Sequence, residues 1–168
     1  MASDRRPELT LAKSYPHDPP AHSFLYVNGA AWEIVEPGGD GLEGAVRVGR
    51  HVVPVTQALA ERGIAAERTA VIAHSSNASP ARLARKFGNL AGDTLFPVIR
   101  AKLDDHDVVY SPHFPRTGSI PATLAASPAT RVTVAITYLT AALLARMHES
   151  KLGVDRAGVG AERSGERF

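Results

Sequence analysis

The chain has 168 residues, 44% of them hydrophobic, which suffices for one domain burying about two thirds of its unfolded surface and is too little for two. A net charge of +2 gives no strong positive field for nucleic acid, and the absence of cysteine excludes disulfides, zinc–thiolate centres and a thiol nucleophile. No apolar run has the length of a signal-peptide core or approaches the ~20 residues that cross a bilayer, so a soluble cytoplasmic protein with no membrane partner is expected.

Residues 1–22 carry Pro7, Pro16, Pro19 and Pro20 among charged and small residues and predict a flexible arm. One domain is expected over 23–153. It begins with a hairpin: residues 23–27 and 31–35 are strand-like, and Asn28-Gly29 between them suits a tight turn with positive φ. After the glycine-rich loop 36–41, residues 45–55 predict one or two strands, and a short helix over 56–62 is expected to end at Gly63.

The most informative stretch follows. The apolar run Val71-Ile72-Ala73 breaks into His74-Ser75-Ser76-Asn77; Ser79 then suits an N-cap, Pro80 the first helical position, and Gly88 the end of a helix over 80–87. A strand-to-helix corner of this kind offers free backbone amides to a ligand. As an ordinary surface connection, Ser76 and Asn77 would merely cap and turn the chain.

Residues 98–103 and 107–110 predict strands flanking a solvated acidic link, and 118–124 and 131–138 predict two more, joined by a Ser127-Pro128-Ala129-Thr130 turn. Thr140 is placed to cap a helix with an apolar stripe of Leu143, Leu144 and Met147, ending at Gly153. Residues 154–168, rich in Gly, Arg and Glu, predict a flexible tail.

Six of these features, over about 80 residues, together resemble the γ-glutamylcyclotransferase-like superfamily. The corner Ala73-His74-Ser75-Ser76-Asn77 resembles that family's YGSN loop, and Ala101-Lys102-Leu103-Asp104-Asp105 its A-x-L-x-D strand. The strand from Gly118, the Ser127-Pro128 turn, the valine-rich strand to Tyr138 and the helix through Leu143-Leu144 follow in the family's order. The resemblance implies an α+β fold, a γ-glutamylcyclotransferase-like mixed β-barrel with flanking helices. The strands between Ser23 and Val55 would then close the barrel.

It also implies a pocket in which His74, Ser75, Ser76 and Asn77 bind a small amino-acid-derived carboxylate or amide. The implied reaction is cyclisation of a γ-glutamyl amide, in which the free α-amino group attacks its own side-chain amide and releases an amine and 5-oxoproline. A proton-transferring side chain on the last helix would serve it. Two residues depart from the family loop, His74 for tyrosine and Ser75 for glycine. Lys151 stands where the family has its glutamate, with Glu149 two positions earlier, so Lys151 and Glu149 are the catalytic candidates. On a helical wheel Lys151 shares the face of Leu144 and Met147, whereas Glu149 faces the other way. The alternative function is a non-catalytic small-ligand or protein-interaction module that has lost the glutamate. A small-molecule ligand is the expected partner, with a homodimer left open and no nucleic acid or cofactor expected.

Three other constellations carry less. Asp104-Asp105-His106-Asp107 alternate along a strand, so at most two converge and no metal is expected. Ser76, His113 and Asp107 lack a G-x-S-x-G elbow. Arg82, Arg85 and Lys86 give the helix after the corner a basic face that suits either an anion or plain solvation.

Overall fold

The computed structural model describes residues 19–37, 43–62, 67–88, 90, 92–111 and 122–155, the side chains of 36, 37, 75, 76 and 150–155 excepted. Most of the predicted arm, the end of the tail and the start of the strand from Gly118 lie outside these residues. The hairpin forms as read: β1 (Phe24–Val27) and β2 (Ala30–Pro37) pair antiparallel, Leu25 opposite Trp32. Asn28 and Gly29 turn between them with φ of 46° and 96°, a conformation asparagine and glycine tolerate best. Residues 45–55 resolve into two strands, β3 (Gly44–Val48) and β4 (His51–Pro54), followed by helix α1 (Val55–Ala60).

Strand β5 (Thr69–Ala73) leads through a single 3-10 turn (Ser75–Ala78) into helix α2 (Pro80–Phe87). The long strands β6 (Leu95–Tyr110) and β7 (Ala122–Leu139) then form an antiparallel ribbon, and helix α3 (Ala141–Asp155) follows. The seven strands among the described residues make one sheet in the order β4-β3-β2-β1-β6-β7-β5. The expected barrel is not formed: β4 and β5 lie at opposite edges, and the strands of 23–55 extend the sheet through the β1–β6 pair instead of closing it.

Two expected interruptions are absorbed within strands. The acidic link lies inside β6 and the Ser-Pro turn inside β7, because together they make one bulge. Asp104 is opposite Arg131 and His106 opposite Ala126, so Asp105 alone faces residues 127–130. The bulge satisfies its own polar groups. Asp104 is ion-paired with Arg131, Asp105 Oδ1 accepts from the Ala129 amide at 2.9 Å, and Ser127 Oγ lies 2.8 Å from Thr130 Oγ1. Asp105 and Ala129 take φ of 56° and 63°. Pro128, with no amide to donate, is tolerated at such a site.

The bulge bends the ribbon sharply. Ala135 pairs with Ala73 at the end of β5, and a straight strand would carry Ala122 roughly 40 Å from that point. Instead the Ala122 carbonyl lies 3.0 Å from His74 Nε2, next to Ala73. The far end of the ribbon therefore curls back to the edge strand, joined to it by this side-chain bond.

The sheet buries both faces. On β1, Phe24 and Tyr26 enter one core with Leu83 and Phe87 of α2 and Leu143 and Met147 of α3, while Leu25 and Val27 enter a second under α1 with Ile34, Val46 and Leu59. The α3 stripe is as read, but the helix continues through Gly153, a glycine costing only about 1 kcal/mol in a helix. Tyr26, Phe96 and Phe87 form an aromatic cluster, Tyr26 stacked on Phe96 at 4.8 Å and Phe87 edge-on to Phe96 at 5.2 Å. Burial raises the Tyr26 hydroxyl above its ordinary pKa, with the Gly29 backbone pulling the other way. Among the described residues, no helix is long and apolar enough to cross a membrane.

Candidate functional site

The corner after β5 is built by packing more than by capping. Pro80 opens α2 as read, but Ser79 is buried and makes no side-chain cap; its carbonyl accepts the Leu83 amide at 3.0 Å. Gly88 ends the helix with right-handed backbone, its amide donating to Ala84 O at 2.7 Å. Lys86, expected on a solvated basic face, turns inward: its Nζ donates to Asn77 Oδ1 at 2.7 Å and lies 3.3 Å from Met147 Sδ. Arg146 Nε donates to the Lys86 carbonyl at 3.2 Å, tying α3 to α2. Asn77 is thereby fastened to the helix that follows it.

A cleft open to solvent on one side lies against this corner, and its enclosed space is about 50 Å³. Ala73, His74 and Ala78 form the corner side, and Thr133, Val134 and Ala135 of β7 the floor. Arg100 of β6 and Pro19 complete the wall. That space is well below the about 300–1,000 Å³ of typical ligand pockets, so a ligand held here lies partly in the open groove.

Among the predicted binding residues with described side chains, His74 lines the cleft and Asn77 does not. Its Nε2 faces a carbonyl oxygen, which only accepts, so Nε2 donates that hydrogen bond. Nδ1 is shut away from solvent and has no hydrogen-bond partner. Replacing His74 with phenylalanine removes the bond that returns the ribbon end to β5. Since such a bond contributes about 0.5–1.5 kcal/mol, amide exchange at 122–124 should quicken roughly 2- to 10-fold by NMR; unchanged exchange would show that the β6–β7 ladder alone holds that end.

Ser75 and Ser76 lie in the 3-10 turn beside His74, their side chains outside the described ones. The side chain of Lys151 is likewise outside them, although its backbone belongs to α3. Glu149 is exposed, lies 3.4 Å from Arg146 in an ion pair, and does not line the cleft. The structure therefore brings His74 to the cleft and leaves Glu149 away from it. His113 lies outside the described residues. Among them, no three His, Asp or Glu side chains are placed to hold a metal ion.

Two polar residues of the cleft escape the sequence reading. Arg100 interrupts the buried run that begins at Leu95, and this single charge amid apolar neighbours was the available signal. Its Nη1 donates to Pro20 O at 3.1 Å, and its backbone amide to Ser23 Oγ at 3.0 Å. Thr133 Oγ1 accepts from Lys102 Nζ at 2.9 Å, which places a second cation beside the floor. Comparison with protein-family models, with curated proteins and with solved structures finds no match.

Proposed function

We propose that this protein binds a small amino-acid-derived carboxylate or amide in the cleft beside His74, as a divergent relative of the γ-glutamylcyclotransferase-like proteins that holds its ligand without cleaving it. The observation that carries the reading is the coincidence of the strand-to-helix corner with a small, part-open cleft walled by Arg100 and His74. Against turnover stands Glu149, the α3 carboxylate two residues before Lys151, which is solvated and paired with Arg146. Intramolecular cyclisation needs a group that takes the ammonium proton and returns one to the leaving nitrogen, a contribution of about 10² to 10⁴ in rate.

Calorimetric titration with 5-oxoproline and with a γ-glutamyl dipeptide, alongside an assay for released amine, tests this directly. The expected result is saturable binding of one ligand per chain and no release. Release that is lost in Lys151→Ala would establish the cyclase instead, and absence of binding by either compound would remove the cleft from consideration.

A further inference from the structure

The charge around the cleft has one sign. Arg100 is the only charged side chain among the described lining residues, and Lys102 stands beside Thr133 on the neighbouring strand. No Asp or Glu lines the wall, so among these residues nothing is placed to neutralise an ammonium group. Arg100 itself forms no ion pair among the described residues. Its guanidinium is directed to a neutral acceptor, the Pro20 carbonyl, and Pro19 beside it is part of the wall. A guanidinium presents a planar fork of donors that a carboxylate fills with two parallel hydrogen bonds, each roughly twice as strong as a bond to a neutral carbonyl.

We infer that the cleft selects a small carboxylate lacking a free amino group, gripped by Arg100, and that the Pro20 carbonyl occupies the guanidinium until the ligand displaces it. This deepens the binding reading above and rests on it. Two consequences follow from the geometry. Affinity resides in the ligand's negative charge, because Arg100 and Lys102 both favour it and no described wall residue opposes it. Binding also exchanges one acceptor of Arg100 for another, so residues 19–21 report occupancy.

The test is an NMR titration of the full chain with three probes: 5-oxoproline, its neutral primary amide, and glutamate, which adds an ammonium group. The expected result is that 5-oxoproline binds about 10- to 100-fold more tightly than either other probe and moves the Pro20 carbonyl carbon and the Ala21 amide. In Arg100→Gln the preference for 5-oxoproline over its amide should vanish. Arg100 is exposed, so this variant is expected to fold, as its amide spectrum will show. Equal binding of 5-oxoproline and its amide to the unmodified chain would overturn the anion assignment while leaving the cleft as a binding site. Tighter binding of glutamate would overturn the exclusion of an amino group, and unmoved signals at Pro20 and Ala21 the displacement. Binding by none of the three would remove the cleft reading itself.

Discussion

Phe96→Ala is expected to lower the unfolding free energy by about 3–5 kcal/mol, the range for truncating a buried aromatic. Phe96 is fully buried and contacts both other rings of the aromatic cluster, Tyr26 from the hairpin and Phe87 from the last turn of α2. Losing it opens a cavity that rigid strands cannot collapse to fill, and it frees the helix on which the His74 corner rests. Phe96→Leu retains most of the volume and should cost distinctly less. Urea denaturation of the two variants decides the matter: a Phe96→Ala cost under about 1 kcal/mol would mean that the cluster does not anchor α2.

Arg68→Met should cost about 2–4 kcal/mol, with Arg68→Lys recovering little of it. The β6–β7 ladder ends at Val98 opposite Thr137, although both strands run on, to Leu95 and Leu139. Pro97 explains the gap, since it has no amide to offer β7. Arg68 bridges it. Nη1 donates to Leu95 O at 3.3 Å and to Tyr138 O at 3.1 Å, the second in place of the bond that Pro97 has no amide to make. Burial pulls the guanidinium below its ordinary pKa, and Nη2 is buried without a partner. Methionine fills the same space but leaves both carbonyls without their donor. The variant should also expose the Leu139 amide to faster exchange; a variant as stable as the parent chain would show that water serves these carbonyls equally well.

How much of this was legible in the sequence follows from the range of each interaction. The hairpin was readable because Asn28 and Gly29 specify their own turn, and α3 because Leu143, Leu144 and Met147 repeat at helical spacing. The acidic link and the Ser-Pro turn were misread for one reason. Each looks like a chain reversal alone, and only pairing Asp104 with Arg131 and Asp105 with Ala129, more than twenty residues apart, turns them into a bulge. Barrel closure failed as an expectation because strand patterns show which segments pair with something, not whether the two edges of a sheet meet. At the site, His74 was found from the polar break after β5, whereas Arg100 and Thr133 reach the cleft only through the β6–β7 register.

The central claim is that the cleft between the β5–α2 corner and β7 receives a small carboxylate. Methyl and amide NMR footprinting with 5-oxoproline tests it most directly. The account predicts shifts at Ala73, His74, Ala78, Arg100 and residues 133–135, with the second core around Leu59 and Trp32 unmoved. Shifts centred on that second core, or none at saturating ligand, would contradict it.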